Sequence, residues 1–169
     1  MHDQARFEEF VELGRRIELF RKVELVQFRS KKRATSEELA TLEVDGINVG
    51  LLSDGTLRVM ETLLSLLFTR PGALLLIEEP ETGIHPGLLS SLLNVIESYS
   101  ADKQVVFSTH SPLVVSRASP NELRLVERKN GKTSVRSLSS KEAKLAARYL
   151  ESEGTLGEFV YSGALDDEA

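Results

Sequence analysis

Two adjacent carboxylates, Glu78 and Glu79, directly follow a run of four apolar residues, Leu74–Ile77. A short apolar run bounded by turn residues is typical of a strand buried on both faces of a parallel sheet. Because carboxylates are rarely buried without partners, the pair either is solvated at the strand end or is placed there for chemistry. Open α/β sheets bind ligands beyond the carboxyl ends of their strands. There, one acid could bind Mg²⁺, directly or through water, and the other could orient an attacking water molecule.

A histidine follows the next short apolar run in the same way. Gln104–Phe107 predicts a second buried strand, and His110 comes just after it in the sequence Ser-Thr-His-Ser-Pro. A lone histidine is more often structural than catalytic, but the carboxyl end of a core strand is where a site is expected. Between the two strands, Pro86–Tyr99 predicts a helix with a wide apolar face. The sequence therefore predicts a right-handed β-α-β unit with its polar groups at one edge.

A third polar segment, Ser53-Asp54-Gly55-Thr56, precedes a helix predicted from about Leu57 to Phe68. That helix is apolar on nearly every side, so we expect it to be buried. The segment is open to two interpretations. In the first, it is an ordinary helix cap with a glycine for the tight turn. In the second, its hydroxyls and amide groups bind a phosphate at the positive end of the helix. Asp54 fits the second interpretation only if its side chain points away or is paired.

The other predicted elements surround these three segments. Asp-Gly between two apolar runs is a strong hairpin signal, so the first third is expected to be antiparallel sheet. The predictions are a helix capped by Asp3 and running to Arg16, strands Val23–Phe28, Leu39–Val44 and Ile47–Leu51, a short helix Leu113–Ala118, strands Glu122–Glu127 and Thr133–Leu138, and a helix Lys141–Leu150.

The tripeptide Gly131-Lys132-Thr133 imitates the end of the phosphate-binding loop G-x-x-x-x-G-K-[ST]. The position of the first glycine is taken by Val126, and no helix is predicted to follow. We therefore interpret Asn130-Gly131 as a hairpin turn and reject a phosphate loop here.

Composition limits the class of protein. The chain has 169 residues, 41% hydrophobic and 28% charged, which fits one globular domain. There is no cysteine, which excludes disulfide and thiolate–zinc scaffolds, and no signal peptide or membrane span is apparent. We expect a soluble, cytoplasmic protein. The net charge of −5 argues against a surface devoted to nucleic acid. The basic cluster of Arg29, Lys31, Lys32 and Arg33 has two interpretations, of which a solvated loop is favoured over a phosphate-binding patch.

Four motifs in one order, LSDGT, LLLIEEPE, TGIHP and STHSP, together carry a family resemblance. The ordered set resembles the carboxy-terminal half of an ATP-binding-cassette (ABC) type ATPase. It is most similar to the bacterial "AAA domain" group that includes the OLD-type (overcoming lysogenisation defect) ATPases, and it is more distantly similar to RecF and SMC proteins. The resemblance covers about Ile47 to Leu165. It implies an α/β, P-loop-NTPase-like sheet with flanking helices, and it implies ATP and Mg²⁺ as cofactors.

The resemblance also implies a role for each motif. The segment from Ser53 to Thr56 (Ser53, Asp54, Gly55 and Thr56) would be the signature loop, which contacts the γ-phosphate of ATP held by the opposite subunit. Glu78 would hold Mg²⁺ and Glu79 would be the catalytic carboxylate of the Walker-B motif. His110 would be the switch histidine that senses the γ-phosphate. The D-loop at the dimer contact would be formed by Thr82, Gly83 and His85, with His85 where many relatives carry Asp.

The most important departure from the family pattern is that the 169 residues contain no Walker-A phosphate loop, and the Q-loop between Walker A and the signature is not identifiable either. We therefore expect an ATPase part that needs Walker A from a partner chain or from an upstream segment. The chain is then a fragment, a split-gene product or a protein that has lost nucleotide binding. The alternative function is a non-catalytic interaction module. The predicted organisation is an N-terminal segment 1–46, an ATPase subdomain 47–165 and a loose tail 166–169.

Partners are implied by the same resemblance. They would be a Walker-A-bearing chain or a dimer of ATPase heads, with a possible nuclease or effector subunit and possible DNA contact through a partner. A role in DNA repair or phage defence is implied only in this way. An apolar face left open where the missing strands would pack is expected to promote association.

Overall fold

The computed structural model describes residues 2–30, 37–152, 154–163 and 165, and it contains two compact units, Met1–Ser108 and Thr109–Ala169. The predicted boundary at residue 46 stays a prediction. Residues 31–33 of the basic cluster and the predicted tail 166–169 lie outside the described residues. No helix in the described part of the chain is long and apolar enough to cross a membrane.

The described part of the first unit contains two sheets and three α-helices. The elements in chain order are α1 (His2–Arg16), β1 (Val23–Ser30), β2 (Glu37–Val44), β3 (Ile47–Asn48), a 3₁₀-helix (Val49–Leu51), α2 (Asp54–Phe68), β4 (Leu74–Glu78), α3 (Pro86–Tyr99) and β5 (Gln104–Ser108). Helix α1 begins at His2, so Asp3 lies inside the first turn and the predicted cap at Asp3 is wrong.

Strands β1, β2 and β3 form the predicted antiparallel sheet. Asp45 and Gly46 both have positive φ, 51° and 81°, as the hairpin turn between β2 and β3 requires. The predicted strand Ile47–Leu51 is wrong beyond Asn48. The Asn48 side chain accepts a hydrogen bond from the Gly50 amide at 2.9 Å, and this local bond turns the chain into the 3₁₀-helix.

Gly14 lies inside helix α1, although glycine is a poor helix former. A Cβ at Gly14 would overlap the ring of Phe20, which packs against Phe10 with ring centroids 5.2 Å apart. Gly14 also accepts a hydrogen bond from Leu19, which lies past the end of α1. The absence of a side chain at Gly14 therefore lowers helix propensity but leaves room for a buried aromatic pair.

Strands β4 and β5 form the predicted parallel pair, with Leu74 opposite Gln104 and Glu78 opposite Ser108. The prediction that β4 is buried on both faces is wrong. Leu74 and Leu76 are 54% and 68% exposed, and Val106 on the same face of β5 is 44% exposed. The alternation arises because helix α2 packs against the strand, while the side that carries Leu74 and Leu76 is exposed.

Helix α2 is the centre of the first unit, where it contacts α1, α3 and β4. Val59, Leu63 and Leu66 are fully buried. The expected burial of α2 is met on most of its surface but not at Leu64 and Phe68, which are 37% and 42% exposed.

Among its described residues, the second unit contains a hairpin and three helices: α4 (Pro112–Val115), β6 (Leu125–Lys129), β7 (Lys132–Arg136), α5 (Ser140–Glu151) and α6 (Leu156–Tyr161). The rejection of a phosphate loop is confirmed, because the Gly-Lys-Thr segment lies in an antiparallel hairpin with positive φ at Asn130 and Gly131. Strand β6 begins three residues later than predicted. Helix α6 was not predicted, although Thr155 and Glu158 have capping-box spacing and form that box.

Glu142, in helix α5, forms an ion pair with Arg136 of strand β7. Its carboxylate accepts two hydrogen bonds from the Arg136 guanidinium, at 2.8 and 3.0 Å, and one from the Ser139 amide at the start of α5. These bonds, the arginine contacts first, lower the pKa of Glu142 to about 2. A pKa depressed in the folded state contributes stability above the ordinary pKa of the group, and that contribution is lost as the pH falls from about 4.5 towards 2.

Replacing Glu142 with Gln is therefore expected to lower the free energy of unfolding at pH 7 by about 1–2 kcal/mol, a figure reduced for the solvent screening of Arg136. The acid-induced loss of stability below pH 4.5 should become shallower, because the titrating group has been removed. Urea unfolding between pH 2 and 7 measures both effects. Glu158→Gln is the matched control, since Glu158 forms the same capping box on α6 with Thr155. Equal losses in the two variants would contradict a special role for Arg136.

Candidate functional site

The predicted signature segment, Ser53–Thr56, lies at the start of helix α2, where Ser53 is the N-cap. The Ser53 hydroxyl accepts a hydrogen bond from the Thr56 amide at 3.1 Å, and the two hydroxyls lie 2.8 Å apart. Asp54, the first helical residue, is exposed. The structure thus shows the capping interpretation, and the same geometry leaves the helix N-terminus at the surface, where an anion could approach it.

The two acids lie at the carboxyl end of β4, in different environments. Glu78 is exposed on the same face as Leu74 and Leu76, whereas Glu79 is half-buried. Glu79 has φ +43°, in the left-handed region that non-glycine residues rarely adopt. A residue held there typically costs about 1–3 kcal/mol, and surrounding contacts must offset that cost.

Contacts around Glu79 maintain its conformation. Its amide donates to the Ser108 carbonyl at 2.8 Å, which extends the pairing of β4 and β5 by one residue. Its carbonyl accepts from the Thr82 amide at 3.0 Å, and the Thr82 hydroxyl donates to the carboxylate Oε2 at 3.0 Å. Thr82 therefore closes a tight turn and orients the side chain of Glu79.

The turn after Glu79 ends in a histidine cap. His85 is the N-cap of α3, where its Nδ1 accepts a hydrogen bond from the Gly87 amide at 3.2 Å. Pro86 follows as the first helical residue, as predicted. The His85 imidazole thus accepts a hydrogen bond from a free amide of the first helical turn, as an aspartate N-cap does at other helix starts.

The structure brings the signature segment against this turn. A Cβ at Gly55 would overlap the Gly83 carbonyl oxygen, so the two backbones are in direct contact. Gly83 itself has φ +73°. Two segments 28 positions apart in the chain, predicted separately as signature loop and D-loop, are neighbours because Gly55 lacks a side chain, whereas a Cβ at Gly83 would make only ordinary contacts at 3.6 Å.

Sequence reasoning missed Arg58. It lies in α2, soon after the signature segment, and its Nη1 donates to the carbonyls of Glu78 at 2.9 Å and of Glu79 at 3.2 Å. A basic residue near the start of an otherwise apolar helix was the available signal.

His110 lies in the second unit, two positions after Ser108, and its side chain is exposed. The neighbouring Thr109 hydroxyl accepts a hydrogen bond from the Ser111 amide at 2.9 Å, which shapes the start of α4. The predicted role of His110 stays a prediction.

The residues fit a Mg²⁺ that is shared with a nucleotide better than a metal held by protein alone. Among the described residues, no group of three or more His, Cys, Asp or Glu side chains comes together to hold an ion. Mg²⁺ in phosphate-transferring sites takes only one or two carboxylates beside phosphate oxygens and water. The exposed Glu78 suits that arrangement.

Comparison with known proteins identifies the family. A model described as "AAA domain, putative AbiEii toxin, Type IV TA system" matches residues 7–116, a range that contains every predicted site residue. The chain belongs to this AAA domain family. Members of the AAA domain family are P-loop nucleotide hydrolases, so the predicted group is confirmed, whereas the closer resemblance to OLD-type ATPases stays a prediction.

A solved structure supports the fold of this AAA domain protein. The chain is similar to one from structural work on the ATP-driven dimerization and DNA-stimulated activation of SMC ATPases, with a TM-score of 0.51 and 14% identity. The match covers 89% of this chain and 96% of that chain, and it confirms the predicted P-loop-NTPase-like α/β class. No protein of curated function matches this sequence.

Proposed function

We propose that this chain supplies the signature loop, the Walker-B acids and the switch histidine of an ABC-type ATPase, and that Walker A comes from a partner chain or from sequence outside these 169 residues. The observation that carries the proposal is the contact between Gly55 and Gly83. It holds a loop suited to bind a phosphate against the turn that follows two acids at the carboxyl end of a parallel strand. Ligands of α/β sheets bind at that edge.

Each residue then has a distinct task. Glu78 would hold Mg²⁺, and Glu79, oriented by Thr82, would position the water that attacks the γ-phosphate. Bound ATP and Mg²⁺ supply the reacting phosphate and neutralise its charge. The signature segment (Ser53–Thr56) would contact ATP held by the opposite subunit, and His110 would sense its γ-phosphate.

The exposed face of β4 and β5 supports a partner. Leu74, Leu76 and Val106 form an apolar surface beside Glu78, whereas parallel sheets are normally covered on both faces. A Walker-A-bearing segment that packs on this surface would bury it and would also bring Walker A close to Glu78, which lies on the same face.

A dimer of ATPase heads is the assembly we favour. Structural work on the matched SMC ATPases concerns ATP-driven dimerization, and a signature loop that binds nucleotide in trans needs such a dimer. Contact with DNA through a partner, and a role in DNA repair or phage defence, are extensions of the same proposal.

Calorimetric titration with Mg-ATP tests the proposal, first on the purified chain and then on the chain co-purified with a Walker-A-bearing protein encoded beside it. We expect no binding to the chain alone, and binding with hydrolysis in the complex. Tight binding to the chain alone would mean that it contains a phosphate site of another kind. Absence of binding in both cases would favour the alternative, a non-catalytic interaction module, which the missing G-x-x-x-x-G-K-[ST] pattern also favours.

A further inference from the structure

One guanidinium nitrogen binds two successive carbonyl oxygens at the end of β4. Arg58 Nη1 lies 2.9 Å from the oxygen of Glu78 and 3.2 Å from that of Glu79. In an extended strand successive carbonyls point in opposite directions, so a single donor could not reach both. They converge here because Glu79, the residue between the two peptide planes, has a φ of +43°.

The contact of Arg58 and the left-handed turn therefore depend on each other. If Glu79 returned to an extended conformation, at least one of the two hydrogen bonds would break. Conversely, a positive charge beside two carbonyls favours the conformation in which both point towards it. The Thr82 amide and the Ser108 carbonyl bind the same residue from the other sides.

Arg58 also belongs to helix α2, whose first turn is the signature segment. The N-terminal part of α2 thus makes two contacts with this region: Arg58 binds the Glu78 and Glu79 carbonyls at the end of β4, and Gly55 touches Gly83 in the turn that follows. A shift of the helix start would be transmitted through both contacts to the backbone that carries the Glu79 carboxylate.

We propose that Arg58 is a positioning residue, which holds Glu79 in its left-handed conformation and couples the signature segment to that carboxylate within one chain. The positioning part concerns the chain alone, and the coupling part rests on the proposed function. The two parts are therefore tested separately.

Amide hydrogen exchange on the full chain without nucleotide tests the positioning. Arg58→Gln should raise exchange at the Glu79 and Thr82 amides roughly tenfold or more, the usual effect of losing a charged hydrogen bond. Exchange at Leu93 in α3 reports global stability and should not change. Arg70→Gln, at an exposed arginine just after α2, is the matched control. If Arg58→Gln also raises exchange at Leu93, the variant has lost global stability. Arg58→Lys then takes its place, and exchange should again rise at Glu79 and Thr82 but not at Leu93.

A second substitution separates positioning from simple packing. Glycine carries no penalty for positive φ, so Glu79→Gly in the Arg58→Gln background should restore protection of the Thr82 amide. If Arg58 only packed against its neighbours, a substitution at residue 79 would not restore the protection that Arg58→Gln removes. Unchanged exchange in Arg58→Gln, or no recovery with Glu79→Gly, would overturn the inference.

The coupling is measured in an assembly that hydrolyses ATP. Arg58→Gln should lower kcat by roughly tenfold or more, since small displacements of a catalytic group have effects of that size. KM for ATP should not change, because Arg58 binds the backbone of Glu78 and Glu79. Wild-type kcat in the variant would overturn the coupling. Failure to find any active assembly would count against the proposed function and leave the exchange result intact.

Discussion

Replacing Glu79 with Gln is expected to abolish ATP turnover in the assembled ATPase while ATP binding stays as tight as before or becomes tighter. The amide keeps the size of the carboxylate and can still accept a bond from Thr82, but it cannot orient and polarise the attacking water as a carboxylate does. Loss of such a group typically lowers kcat about 10²–10⁴-fold. Steady-state phosphate release gives kcat, and calorimetry gives the affinity for Mg-ATP.

Glu61→Gln provides the control for the Glu79 variant, because Glu61 is an exposed acid on α2 and should leave both quantities unchanged. Unchanged turnover in Glu79→Gln would remove Glu79 from the catalytic role. A loss of binding together with turnover would instead indicate that Glu79 holds the nucleotide or its metal.

Replacing Gly55 with Ala is expected to destabilise the chain and to inactivate the assembled enzyme. The added Cβ would overlap the Gly83 carbonyl oxygen, a backbone atom that cannot rotate away. Forcing an extra carbon into such a contact costs about 1–3 kcal/mol and shifts backbone. The shift separates Ser53–Thr56 from the turn that contains Gly83, so turnover should fall further than stability alone explains. Thermal unfolding and ATP hydrolysis at a temperature well below the midpoint measure the two effects.

Gly87→Ala is a closely matched control, because Gly87 is the second residue of α3 as Gly55 is the second residue of α2. A Cβ at Gly87 would lie 3.5 Å from the nearest atom of His85, an ordinary van der Waals contact. Alanine is the better helix former, so this variant should be neutral or slightly stabilising. Equal stability of the two variants would mean that the Gly55–Gly83 contact is dispensable.

The positions of the helices and strands could largely be predicted from the sequence. The bounds of α3, Pro86–Tyr99, were predicted to the residue, because a proline, a periodic apolar face and a terminal turn all agree. The error at Ile47–Leu51 arose because the Asn48 side chain competes with strand pairing, which apolar composition does not reveal. Helix α6 was missed because glycines at 154, 157 and 163 obscured its capping box.

The candidate site was predictable as a list of residues but not as an arrangement. Local motifs indicated the acids at 78 and 79, the signature segment and the D-loop. Arg58 could not be assigned, because its partners are backbone carbonyls that converge only after Glu79 adopts a positive φ. Every residue type carries a backbone carbonyl, so the sequence does not show which residue will accept a hydrogen bond from Arg58.

By itself, the sequence determined the order of the elements, the parallel β-α-β unit and the family, because periodicity, caps and turn residues act over a few positions. Only the tertiary structure decided that Gly55 touches Gly83, that Arg58 binds the end of β4 and that Leu74 and Leu76 face outward. These features depend on distances between segments far apart in the chain. Burial and close approach are properties of the packed molecule, and no local pattern of residue types contains them.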